Sequence, residues 1–365
     1  MKIRELSAML EQLAPLQLQE DYDNSGLLIG DPESEIRGVL VSLDVTEDVV
    51  QEAVQKGCNL VVAHHPLIFR GLKRLTGADY VERTAIAAIK NNVAVYAIHT
   101  NLDNVVNGVN YRIAERLGLT GVSILRKKKN TLLKLTVFVP EGEATARVLA
   151  ALHKAGAGAI GNYSDCSFRT TGTGSFRPEE AANPAIGKRG VLEEVEENRV
   201  EVILPAYRKS QVLGAMLAAH PYEEVAYYLQ TLENANQEAG SGVIGRLPAA
   251  MPPEEFLAYL KERMNLQVIR YTPVSTPIRK IAVCGGSGSF LLGDAMAAGA
   301  DAFITADYKY HEFFGAEGRI LIADIGHFES EVFTKDLLVE IISKKITTFA
   351  TCLSEVNTNP VNYYY

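Results

Sequence analysis

The sequence predicts an α/β protein of two similar lobes forming one domain, with a smaller α+β domain inserted between them. Three observations support this. The 365 residues suffice for two or three domains. A segment beginning at Ile36 recurs at Ile278, 242 residues later and without a gap. The stretch between the two copies has a shorter repeat of its own, at an offset of 65.

The first lobe, residues 1–125, opens on MKIRELSAMLEQLAPLQ, an amphipathic helix with Leu6, Leu10 and Leu13 on one face. IRGVLVSLDVTEDVVQEAVQKGCNLVVAHH then reads as strand, helix, strand. The second lobe, residues 241–365, repeats this as IRKIAVCGGSGSFLLGDAMAAGADAFITAD. Ile36, Val41, Gly57 and Val62 fall on Ile278, Val283, Gly299 and Ile304. The strands are β-branched and apolar, as buried parallel strands are, and each helix ends near a glycine. Each lobe continues to a third strand that ends in histidine. VAVYAIHTNLD carries His99 and Asp103, and RILIADIGHFESE carries His327 and Glu331, at an offset of 228. Both read His-x-x-x-carboxylate just past a strand. Ligands in α/β folds bind beyond the carboxyl ends of strands, so the lobes are expected to face each other across one crevice.

The insert, residues 126–240, opens on the basic run Arg126–Lys129, which reads as a solvated boundary. LKLTVFVP (Leu133–Pro140) matches NRVEVILP (Asn198–Pro205), and a helix follows each. That alternation predicts a ferredoxin-like sandwich. TTGTGSFRPEEAANPAIGKRG, rich in Gly, Pro, Thr and Asn, is expected to be a long exposed loop.

Composition narrows the function. With 36 basic and 44 acidic residues the net charge is −8, which disfavours a nucleic-acid partner. The four cysteines, Cys58, Cys166, Cys284 and Cys352, are widely spaced, so neither a thiolate zinc knuckle nor a disulfide framework is encoded. No signal peptide or membrane span is read in the sequence. A cytoplasmic protein without a membrane partner is expected.

Four of the seven histidines, His64, His65, His99 and His327, lie at predicted strand ends. Neighbouring strand residues point to opposite faces, so His64 and His65 suit two metals side by side better than one. Asp103 is placed in the polar segment HTNLDN, where an Asx turn or a helix cap is its ordinary role. Glu331 is expected in an exposed first helical turn, four residues after His327 and on the same side. Imidazoles and carboxylates without thiolate describe a site for Zn, Mn, Fe or similar divalent ions. CGGSGS (Cys284–Ser289) reads as a tight turn, and Asp307, Lys309 and His311 as possible substrate contacts. His220 and His153 read as structural and surface residues.

AHHPLIF, HTNLDN, GHFESE and EDYDNSGLLIGD, in this chain, resemble the Nif-three-like dinuclear metal-centre family, whose members are named as GTP cyclohydrolase type 2 homologues. The resemblance covers both lobes. HPYEEVAYYL (His220–Leu229) makes the insert resemble the PII/CutA-like domain of longer bacterial members. Tyr22 stands where many members have tryptophan, and this chain has none. The resemblance implies two divalent ions held by His64, His65, Asp103, His327 and Glu331. Glu331 would bridge them, with Asp103 a second candidate bridge. His99 would stand behind these ligands, orienting one of them or moving a proton. It also implies a hexameric homo-oligomer and a hydrolase acting on a small molecule or nucleotide, with GTP ring opening the suggested reaction. The competing reading is a non-enzymatic metal-binding scaffold or regulator that uses the PII-like insert.

Overall fold

A computed structural model describes residues 1–346 and 348–364. The chain divides into two compact units, one of Met1–Lys127 with Glu238–Tyr365, the other Lys128–Gln237.

Among the described residues the larger unit holds two sheets. The first runs in the order β1 (Gly26–Ile29), β4 (Ala94–Ala97), β3 (Leu60–Ala63), β2 (Gly38–Ser42), β15 (Ala350–Leu353). Its strands are parallel except β1. Every residue of β2, β3 and β4 is buried, which explains their unbroken apolar runs. Helix Glu47–Gln55 starts where the Thr46 side chain accepts a hydrogen bond from the Val49 amide. The second sheet runs β11 (Arg270–Tyr271), β14 (Leu321–Asp324), β13 (Ala302–Ala306), β12 (Ile278–Ser287), β10 (Gly240–Met251), β5 (Thr120–Lys127).

The repeat is visible in the registers. Val39 pairs with Leu60 and Val41 with Val62; Ile281 pairs with Ala302 and Val283 with Ile304, the same partners shifted by 242. The third strands correspond differently. Ala63 pairs with Ala97 and Thr305 with Asp324, so β4 and β14 correspond at 227 rather than 228. His99 therefore corresponds to Gly326, and His327 sits one position further on. The loop between second and third strands differs in length in the two halves, and matching on histidine absorbed that difference at the wrong residue. The strands also do not divide between the sheets by chain order. β15, from the end of the chain, closes the first sheet on β2, and β5, from its first third, closes the second on β10.

The smaller unit is a four-stranded antiparallel sheet, β7 (Phe168–Phe176), β8 (Glu193–Pro205), β6 (Leu132–Pro140), β9 (Tyr227–Leu232). Helices Glu143–Lys154 and Lys209–Ala219 complete a βαββαβ succession. Leu135, Val137, Val200 and Val202 pack against Val148, Leu152, Val212 and Met216, so one sheet face carries both helices. The expected loop at TTGTGSF is instead most of strand β7. Thr170, Thr171 and Thr173 supply β-branched residues, and the whole segment pairs with β8. Gly172 and Gly174 hid that alternation in the sequence.

The smaller unit leaves the larger one after Lys127 and returns at Glu238, and Lys127 is the cross-strand partner of Gly240. Antiparallel partners lie about 5 Å apart, a gap that a short turn closes. Replacing residues 128–237 by a Gly-Asn turn should leave the larger unit folded and cooperative on thermal melting. An insoluble product, or one without a melting transition, would show that the two units share a core.

Candidate metal centre

The site lies at the carboxyl ends of β3, β4 and β14, as expected of a parallel sheet. β3 ends at Ala63, and His64 and His65 follow it at once. His64 is fully buried, and its Nδ1 lies 2.8 Å from the Ile98 carbonyl. A carbonyl only accepts, so Nδ1 carries the proton and Nε2 offers its lone pair to the site. His65 donates from Nδ1 to Asp44 Oδ1 at 2.6 Å, and its Nε2 lies 2.9 Å from Glu331 Oε2. His327 repeats the arrangement, with Nδ1 2.7 Å from Asp307 Oδ2 and Nε2 3.0 Å from Glu331 Oε2.

Glu331 joins these groups. Oε2 faces His65 and His327, while Oε1 lies 3.8 Å from His64 Nε2, which is also 3.7 Å from Asp103 Oδ1. Two sets of donor atoms that could hold a metal ion result, His65–His327–Glu331 and His64–Asp103–Glu331, with Glu331 in both. A third set, His64–His65–His99, borders them. The backbone is cut to fit: a Cβ on Gly286, where φ is +60°, would lie 2.5 Å from Glu331 Oε1. The glycine-rich turn is thus needed for a close approach of carboxylate to backbone. Gly286 N also donates to Ser330 Oγ at 2.9 Å, pinning the helical turn that carries Glu331. That turn, His327–Glu331, is short, and Glu331 is 3% exposed. Glu331 was expected in an exposed first turn; the helix breaks before Thr334, and its acidic residue points inward.

Electrostatics favour a cation here. Burial opposes charge on Glu331, but the imidazoles of His327, His64 and His65 beside it outweigh that and hold the carboxyl well below its usual range. Burial pushes Asp103 up to about 7. Desolvation alone would lower His65 and His327, yet the carboxylates beside them raise them to about 9 and about 11. His64 Nε2 and Asp103 Oδ1 are buried without a hydrogen bond. Unsatisfied buried atoms of that kind cost free energy unless a ligand meets them. The residues therefore fit divalent ions.

His99 stands beside this cluster. Its Nδ1 is 2.7 Å from Asp23 Oδ1, and Thr100 donates its hydroxyl and amide to Asp23 Oδ2. Burial lowers the imidazole pKa, while the hydrogen bond from His99 is the strongest of the influences that hold Asp23 low against its own burial. A cavity of about 360 Å³ opens onto His99, Asp103 and Glu331, and its aromatic lining is Tyr22, Phe69 and Phe290. Tyr22 and Phe69 are stacked, with ring centroids 6.2 Å apart.

The structure thus brings together His64, His65, His99, Asp103, His327 and Glu331. Asp307 is the acceptor for His327 Nδ1 and lines a second cavity together with His65 and His327. Lys309 and His311 line neither cavity beside the cluster. His220 accepts from the Tyr222 amide and donates to the Phe138 carbonyl, a local role in the smaller unit. Three residues escaped the sequence reading, the first being Asp23, which lies in the motif EDYDNSGLLIGD but was given no role there. Asp44 lies just past β2, where a conspicuous Leu-Asp-Val-Thr run was the available signal. Thr358 donates to Asp44 Oδ2 at 2.5 Å from a tail with no periodicity to mark it.

No helix among the described residues is long and apolar enough to cross a membrane. The chain is similar along its length to known proteins. A protein of Halalkalibacterium halodurans named GTP cyclohydrolase 1 type 2 homolog is 40% identical over 97% of each chain. One of the same name in Bacillus subtilis is 36% identical over 99% of this chain and 98% of its own. The crystal structure of a Bacillus cereus protein related to NIF3 superposes with a TM-score of 0.87 at 37% identity, covering 100% of this chain and 99% of that one. The sequence profile of Duf34/NIF3 (NGG1p interacting factor 3) matches residues 1–360, and the chain belongs to that family.

Proposed function

We propose that this chain is a metal-dependent hydrolase with a two-ion centre. The observation that carries the proposal is the division of one buried carboxylate, Glu331 Oε1 toward His64 and Asp103, Oε2 toward His65 and His327. His64 and Asp103 would hold one ion, His65 and His327 the other, and Glu331 both. Zn, Fe and Mn all accept this donor set. Bound there, such ions supply an activated water and a Lewis acid. Asp44, Asp307 and the Ile98 carbonyl fix the tautomers and ring planes of the three imidazoles. His99, oriented by Asp23, is placed to move a proton at the cavity floor.

The name of the relatives suggests GTP as the substrate, with water adding to the imidazole-ring carbon and one C–N bond breaking. Tyr22, Phe69 and Phe290 support that choice, since they offer flat apolar faces to a purine in the same cavity as Glu331. Metal-loaded protein incubated with GTP should remove the purine absorbance, and a chelator should stop it. His99→Ala should slow the reaction by roughly 10²–10⁴-fold without loss of metal. Two bound ions without turnover of any nucleotide would instead favour the scaffold role. We also propose that the smaller unit is related to PII/CutA-like domains, on its βαββαβ order, and that the chain assembles as a hexamer. Light scattering should report a mass several times that of one chain; a monomer at micromolar concentration removes the assembly.

The bridging role is tested by stoichiometry. Glu331→Gln should lower occupancy at both ion sites, because an amide cannot offset the repulsion of two adjacent cations. Loss of Asp44 or Thr358 should act on one. Asp44→Asn and Thr358→Val should weaken the ion held by His65 about 10- to 100-fold against a competing chelator, leaving the other in place. Elemental analysis with circular dichroism as folding control reads both. A folded Glu331→Gln protein that retains two ions per chain would move the bridge elsewhere.

A further inference from the structure

The smaller unit holds a cavity whose lining differs in chemistry from the metal centre. Along β8 the residues alternate: Val200, Val202 and Leu204 face the helices, while Glu197, Arg199 and Glu201 face the other side of the sheet. Arg199 is exposed and pairs with Glu201 at 2.6 Å, as an open sheet face allows. Glu197 is different. It is only 8% exposed, because the segment following β7 folds over that end of the sheet. Asn183 N donates to Glu223 Oε1 at 2.6 Å, Arg189 Nε to the Ala182 carbonyl at 2.8 Å, and Gly190 N to the Pro178 carbonyl at 2.8 Å, which hold the segment in place. Beneath it lies a cavity of about 530 Å³, a size that suits a small ligand.

The lining of this cavity is specific in character. Four aromatic rings contribute, with Phe138 and Tyr228 at 5.8 Å between centroids and Phe176 and Tyr222 at 5.9 Å. Glu197 supplies the buried carboxylate among them, and the exposed residues Arg177, Glu179, Glu223 and Glu224 border the cavity. Gly174 makes room for the Glu197 carboxylate: a Cβ there would lie 2.1 Å from Glu197 Oε2. No cationic side chain pairs with Glu197 among the described residues; Lys134 and Arg199 pair with Glu201 instead. Its polar neighbour is Tyr222, whose phenol is pushed up to about 12 by burial and by the Glu197 charge. The Tyr222 hydroxyl is itself buried without a hydrogen bond of good geometry. A carboxylate taken out of water without a cation is costly. Aromatic faces around it supply a second attraction for positive charge.

We propose that this cavity binds a small organic cation, an ammonium group on a compact aliphatic body, with Glu197 as its counter-charge and the four rings as its walls. A neutral molecule of the same shape gains the apolar contact but neither the ion pair nor the cation–π attraction. A metal ion is the wrong partner, since no three ligand atoms of His, Cys, Asp or Glu gather at this cavity among the described residues. The competing account makes Glu197 a packing group indifferent to the charge of any ligand.

The test compares choline with its uncharged isostere 3,3-dimethylbutan-1-ol, each titrated into the full chain and followed by ligand-observed NMR. Choline should bind about tenfold or more tightly than the alcohol. Glu197→Gln should erase that preference, and Tyr228→Ala should weaken choline binding while leaving the smaller unit folded. Equal affinity for the two ligands in the unaltered chain, no choline binding at all, or an unchanged preference in Glu197→Gln would each overturn the assignment. The comparison in the unaltered chain decides the matter even if a variant fails to fold.

Discussion

The buried carboxylate of Glu331 is the constraint around which the larger unit is organised. A carboxylate that is 3% exposed is stable only where positive charge or hydrogen-bond donors surround it. His65 and His327, from two different sheets, do this at 2.9 and 3.0 Å, and the His64 ring stands 3.8 Å from the other oxygen. His64 and His65 come from the end of β3, His327 from the end of β14, and each is held from behind by an acceptor on its Nδ1. The strands deliver the rings, the acceptors aim them, and Gly286 clears the space into which the carboxylate projects.

The two halves contribute unequally although their strands correspond. At the 242 offset Asp44 corresponds to Gly286 and His65 to Asp307. The same pair of positions thus supplies an oriented ligand in one half, Asp44 holding His65. In the other it supplies open space for Glu331 and an acceptor for His327. Equivalent backbone positions serve different chemical parts, so the centre combines the halves without copying one onto the other. The left-handed backbone at Asp307, with φ of +57°, belongs to this arrangement, because aspartate tolerates that region better than most residues.

Much of this was readable before the structure. Buried parallel strands announce themselves by apolar runs, but the divergence expected of His64 and His65 is not seen: they follow the end of the strand, and their rings lie 5.0 Å apart, both within one candidate donor set with His99. The i, i+4 spacing of His327 and Glu331 placed both on one side of a turn. Other features were hidden for physical reasons. Asp44 and Thr358 are 314 residues apart, and nothing local in either signals the hydrogen bond between them. The exposed placement expected for Glu331 failed because helical periodicity carried its helix through a break that tertiary packing imposes near Thr334. Strand β7 was obscured because glycine weakens the strand pattern even where pairing to β8 is complete. The equivalence of His99 with His327 failed by one residue, a shift that only the strand register exposes.

The closing of the first sheet by β15 bears on how the protein is made. Chains emerge from the ribosome N-terminus first, at roughly 5–20 residues per second. His64, His65 and Asp103 are therefore synthesised long before Glu331, and Thr358 follows later still. Until β15 docks on β2 and Thr358 reaches Asp44, the first sheet lacks its edge and His65 lacks its full support. A growing chain thus displays two histidines and an aspartate but no complete ion cage. The donor atoms that could hold a metal ion are brought together only in the finished protein.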